Sequence, residues 1–88
     1  MRITKSIVEF NLALVQGQAR ELGLTDIRPG YKYDDLTLYR ANGMTQLGAV
    51  QYPGGGMHII GKAATLWEVY VQLTGMYEAL ESLRLKDA

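Results

Sequence analysis

The amino-acid sequence predicts an α+β domain of order α-β-β-β-α, a three-stranded antiparallel sheet with two helices packed on one face. Two observations carry this. Both ends of the chain place apolar residues at steps of three and four, the spacing of a helix with one buried stripe. Between them the residues alternate in strand fashion around Asn42-Gly43, the strongest short hairpin signal a sequence can contain. Neither helix can bury its stripe alone, so a shared sheet face is the economical arrangement. All 88 residues read as one domain, with no internal repeat or linker.

The first helix opens on Ser6-Ile7-Val8-Glu9, which has capping-box spacing with Ser6 as N-cap. Val8, Leu12, Val15, Ala19 and Leu22 form its buried stripe, widened on one flank by Ile7, Phe10 and Leu14. Gly23, with Leu24 behind it, supplies a left-handed stop. Asn11 and Gln18 interrupt the apolar arc one heptad apart. Two fates are open to them: hydrogen bonds to nearby backbone, as buried amides usually find, or a polar pair at a helix or subunit contact.

Arg28-Pro29-Gly30-Tyr31 reads as a type II turn, because proline presets φ and glycine supplies the positive φ. Tyr31 to Ala41 then forms one strand and Met44 to Tyr52 returns antiparallel. With Asn42-Gly43 as a two-residue loop, Leu38 falls opposite Leu47 and Leu36 opposite Ala49 on one face. Thr37, Tyr39, Gln46, Gly48 and Val50 take the other face. Pro53 and Gly54 to Gly56 break the second strand, and Met57 to Ile60 make a short third one. Thr65-Leu66-Trp67-Glu68 is a second capping box. The helix behind it carries Leu66, Val69, Leu73, Met76, Leu80 and Leu83, flanked by Tyr70 and Tyr77, and runs to about Leu85.

Composition narrows function by exclusion. Nine Lys/Arg balance nine Asp/Glu, so the chain lacks the field that drives binding to nucleic acid or acidic membranes. It has no cysteine, hence no disulfide, thiolate nucleophile or cysteine-ligated metal, which fits a reducing cytoplasm. Basic residues precede an apolar run at the N-terminus, but Glu9 and Asn11 interrupt that run as no signal peptide would. No stretch approaches the roughly 20 apolar residues of a membrane span. A cytoplasmic protein with no membrane partner is expected.

The segment Gly56 to Lys62 fits the frame G-x-x-x-x-G-K of a phosphate-binding loop. Its surroundings do not: Ala63 replaces the magnesium-binding hydroxyl, and a proline and glycines precede the frame where a buried strand belongs. His58 has no nucleophile or ligand set at a recognisable spacing. Asp34 and Asp35, as neighbours in a strand, point to opposite faces and are poorly placed to share a proton or a metal. The sequence therefore predicts no catalytic residue, no metal site and no cofactor.

The aromatic residues are the positive signal. Tyr39, Val50 and Tyr52 fall on the sheet face opposite the helices, and Trp67 lies on the flank of the second helix. Tyrosine and tryptophan are the side chains that anchor interfaces. Two outcomes are open for this patch: a partner surface, or cover within the monomer by loops or an extra helical turn. In size, neutral charge, lack of cysteine and two-helix, three-strand build, the chain resembles the small accessory proteins encoded by phages and prophages. Many of those bind and modify a host or viral protein, inhibitors of host defence among them. The resemblance implies a non-enzymatic interaction protein whose partner is another protein or a second copy in a homodimer, and it carries over no residue. The order α-β-β-β-α also resembles the double-stranded-RNA-binding domain, with Lys32, Arg40 and Lys62 as the phosphate contacts that alternative would need. That family's lysine cluster at the start of the last helix is missing here. A third expectation is a small-ligand pocket between helices and sheet, lined by Asn11 or Gln18.

Overall fold

The structure, a computed structural model, describes residues 2–51, 54–61 and 65–87, with the backbone alone for Ala41 and Asp87. Tyr52, Pro53 and Lys62, each singled out in the sequence, lie outside the described residues. In chain order the elements are helix α1 (Lys5–Glu21), strands β1 (Asp26–Arg28) and β2 (Tyr31–Lys32), a 3-10 turn (Tyr33–Asp35), strands β3 (Thr37–Ala41), β4 (Met44–Val50) and β5 (Met57–Ile59), and helix α2 (Leu66–Asp87). The fold is the α+β arrangement predicted: two helices and a three-stranded antiparallel sheet of order β3-β4-β5, with a small two-stranded sheet β1-β2 added.

Helix α1 starts earlier than the Ser6 capping box implies. Thr4 is the N-cap, and its Oγ1 accepts from the Ile7 N–H at 3.3 Å. Starting there places Ile3 and Val8 in the positions of a hydrophobic staple. Val8 is fully buried and Ile3 packs against the core, an apolar gain that a cap at Ser6 would forgo. The C-terminus behaves as predicted. Leu24 N–H donates to the Ala19 carbonyl at 2.9 Å and Gly23 N–H to that of Arg20 at 3.0 Å, a Schellman stop. At α2, Thr65 caps by accepting the Glu68 N–H at 3.1 Å. The Glu68 carboxylate accepts the Thr65 hydroxyl at 3.0 Å, so only half of the reciprocal box forms.

The hairpin is as predicted: Leu38 pairs with Leu47 and Ala41 with Met44, with Asn42 and Gly43 both at positive φ as a type I′ turn requires. The single strand from Tyr31 to Ala41 is not. Continued in the hairpin register, Tyr31 would fall opposite Gly54, yet it bridges Gln51. The 3-10 turn absorbs the difference, and α1 holds that turn in place. Gln16 Nε2 donates to the Tyr33 and Leu36 carbonyls at 3.0 and 3.2 Å, and Arg20 pairs with Asp34 at 3.0 Å. Asp34 and Asp35 accordingly sit in this turn and not in a strand.

The core lies between the helices and one sheet face. Leu36, Leu47, Ala49 and Ile60 supply the sheet side, and Val8, Val15, Ala19, Val69, Leu73 and Leu80 the helix side. The principal extents of 43 × 39 × 18 Å are those of a two-layer slab. Phe10, Leu14 and Leu83, counted with the apolar stripes in the sequence, are exposed instead. The two helices run parallel. Asn11 Nδ2 donates to Thr74 Oγ1 at 3.4 Å and Gln18 Nε2 to Glu81 Oε2 at 3.0 Å, each pair 63 residues apart. Of the two fates open to Asn11 and Gln18, the cross-helix pair is the one realised.

Candidate interaction surfaces

Each layer of the slab has an outer face with apolar side chains in contact with solvent. On the sheet this face is set by pleating: Leu47 and Ala49 point to the helices, so their neighbours Gln46, Gly48 and Val50 point away. Register brings Tyr39 opposite Gln46, Met57 opposite Val50 and Ile59 opposite Gly48 on this same side. Tyr39 is 39% exposed, Met44 and Met57 are exposed, and Val50 and Ile59 are half-buried. Gly48 is the hollow of the face, and Met57 fills it, for a Cβ there would stand 2.9 Å from Met57 Sδ. Tyr39 and Val50, predicted from the alternation, thus share the open face. They stand about 13 Å apart along it, with Met57 between them. Met44 and Met57 were missed; strand register is the signal that finds them.

Trp67 belongs to the other layer. It is 58% exposed on α2 and stacks on Tyr70 with ring centroids 5.8 Å apart. Val71 is 50% exposed, and on α1 Phe10 is 64% exposed with Leu14 beside it. Val71 lies two residues, roughly 200° around the helix, from buried Leu73, and Phe10 stands in the same relation to Val8. All four therefore face away from the sheet. Two clefts open between the helices. One of about 160 Å³ is lined by Asn11, Leu14, Tyr70, Thr74 and Tyr77. The other, about 390 Å³, reaches Gln18, Glu21, Glu81 and Arg84. Every lining residue belongs to one of the two helices, so the clefts lining Asn11 and Gln18 lie between helices and not between helices and sheet.

A charged cluster lies toward the C-terminal ends of the two helices. Glu81 accepts from both Gln18 and Arg84, and that hydrogen bond, with the Glu81 charge, holds the Arg84 guanidinium above its ordinary value. Partial burial pushes the Tyr33 phenol up. Of the basic residues of the nucleic-acid alternative, the two that are described, Lys32 and Arg40, are not gathered. Lys32 neighbours Tyr31, which bridges Gln51, whereas Arg40 pairs with Thr45 at the far end of β4, about 20 Å along the sheet. His58 meets the Tyr31 ring edge-on at 5.8 Å, and the Arg28 guanidinium lies 4.5 Å from the same ring. In the phosphate-loop frame, Met57 to Ile59 pair with β4 and the Ile60 N–H donates to the Leu47 carbonyl at 2.7 Å. These residues belong to a sheet ladder and not to an anion cradle.

Among the described residues no group of three or more His, Cys, Asp or Glu side chains is placed to hold a metal ion. Among the same residues no helix is long and apolar enough to cross a membrane. Compared with protein-family models, with curated proteins and with solved structures, the chain finds no match.

Proposed function

We propose that the chain is a small non-enzymatic interaction protein, accessory or inhibitory in the manner of phage-encoded proteins, which holds a protein partner on its open sheet face. The observation that carries this reading is the set of apolar side chains Tyr39, Met44, Met57 and Val50 on the sheet face opposite α1 and α2. Contiguous apolar surface of this kind marks interaction sites. Methionine lets such a surface adapt to its partner, and tyrosine anchors it. The reading needs no catalytic step and no cofactor, and it places the protein in the cytoplasm.

Photo-crosslinking tests it. A benzophenone side chain introduced at Tyr39 or Met57, in cells of the native host, yields a protein adduct of defined mass. The same group at exposed Thr25, off this face, yields none. An adduct of twice the chain mass identifies the partner as a second copy. Equal labelling at position 25 and position 39, or adducts with nucleic acid alone, overturns the proposal.

A further inference from the structure

The outer face of the helical layer carries its apolar residues in a pattern that fits itself. On α2, Trp67, Val71 and Gly75 follow at steps of four and form one surface ridge, all three exposed. On α1, Ser6, Phe10 and Leu14 form a second ridge with the same step. Each ridge sets a bulky side chain beside a small one. Gly75 has open space around it, since an added Cβ would meet nothing within 4 Å. Among the described residues no contact therefore calls for glycine at this mid-helix position, where it costs about 1 kcal/mol relative to alanine.

From these features we infer that the helical face is the interface of a homodimer, with α2 packed antiparallel on α2 of a second copy about a two-fold axis at Val71. Trp67 and Gly75 are each four residues, ~6 Å, from Val71. The axis therefore seats the indole of each copy over the glycine of the other, and the two Val71 side chains meet at the centre. Because α1 runs parallel to α2 with an offset of 63 residues, the same axis brings Phe10 of one copy toward Ser6 of the other. A two-fold interface requires this self-complementarity, one patch matching itself.

Charge and area agree with a second copy as occupant. Glu21, Glu81 and Arg84 lie toward the C-terminal ends of the helices, away from the axis. Glu78, two turns beyond Val71 on the same face, is carried by the antiparallel arrangement to the opposite side of the axis from the Glu78 of the second copy, so like charges are not brought face to face. Glu68, at the margin of the patch, is turned back onto Thr65. The exposed parts of Phe10, Leu14, Trp67 and Val71 offer roughly 400 Å² of apolar surface per copy. A standard interface buries about 800 Å² per partner, a little over half of it apolar. The dimer leaves both open sheet faces outward, so the inference is independent of the function proposed for them.

The chain lacks cysteine, which makes the test direct. Val71→Cys forms a disulfide-linked dimer under mild oxidation, whereas Tyr39→Cys on the sheet does not. Trp67 is the only tryptophan, so wild-type emission shifts to the red as the protein is diluted through the dissociation range. Gly75→Leu separates fold from assembly. Filling the hollow weakens dimerisation at least tenfold in sedimentation equilibrium, while a better helix former raises the unfolding midpoint of the dilute monomer. A wild type that stays monomeric up to its solubility limit overturns the inference. So does cross-linking at Tyr39 but not at Val71, or a Gly75→Leu variant that dimerises as wild type does.

Discussion

At Gly61 the backbone takes φ +84°, and an added Cβ would stand 2.3 Å from Gln72 Nε2. That amide donates to the Ile60 carbonyl at 3.0 Å and ties the end of the last strand to α2. A side chain at this position is thus opposed twice, by the left-handed backbone and by the amide it would displace. Gly61→Ala is expected to cost about 2 kcal/mol, from the strain of positive φ and the lost hydrogen bond. Gly54→Ala, where a Cβ meets nothing within 4 Å, should change stability by less than about 0.5 kcal/mol. Urea unfolding midpoints of the two variants make the comparison. Equal midpoints would mean that Gly61 has no role beyond that of an ordinary loop residue. The glycine-lysine frame was visible in the sequence, but the reason for Gly61 was not, because it depends on a glutamine in the following helix.

The limits of local reading are clearest at element scale. Ser6 and Thr4 are both good capping residues, and the spacing of Ser6 and Glu9 favours the later start. The choice falls to Thr4 because it brings Ile3 to the core, an advantage that exists only once the sheet is present. Thr4→Ala should therefore destabilise the protein by about 1 kcal/mol and Ser6→Ala by no more than a few tenths. Thermal unfolding at matched concentration decides it, and the reverse order would restore the Ser6 cap. The strand from Tyr31 to Ala41 fails for the same kind of reason. Its alternation is genuine on both sides of the turn, but Gln16 and Arg20 of α1 hold Tyr33 to Leu36 out of the ladder. Where pairing is local, as across Asn42-Gly43, residue spacing alone placed Leu38 opposite Leu47, whereas Leu36, expected opposite Ala49, ends the 3-10 turn just outside the paired strand. Asn11 and Gln18 fall between these cases: spacing singled them out, and only the parallel packing of the helices supplied Thr74 and Glu81.

Which sheet face becomes core was legible because Leu38, Leu47 and Ala49 share one parity of β3 and β4, while Thr37, Tyr39 and Gln46 take the other. That Tyr39 and Val50 lie on the opposite layer from Trp67 follows from which side of α2 meets the sheet, and no single segment contains that information. The consequence for the whole molecule is a slab only 18 Å across its thin dimension, with a single core between its layers. At 88 residues its stability should be about 4–13 kcal/mol. Leu47 and Leu73 are fully buried on the two sides of that core, so truncating either to alanine should cost roughly 3 kcal/mol. That is a large share of the total and corresponds to a fall of roughly 10–20 °C in unfolding midpoint. Tyr39→Ser, on the open sheet face, should move the midpoint by only a few degrees, since its side chain contributes little to the buried core. If the helical faces pair, the midpoint of Leu47→Ala recovers as protein concentration rises, because association stabilises whatever folded population remains. Calorimetry of Leu47→Ala, with and without Gly75→Leu, over a hundredfold concentration range tests both parts. A midpoint for Leu47→Ala no lower than that for Tyr39→Ser would place the core on the wrong sheet face. A concentration dependence that survives Gly75→Leu would place the dimer contact elsewhere.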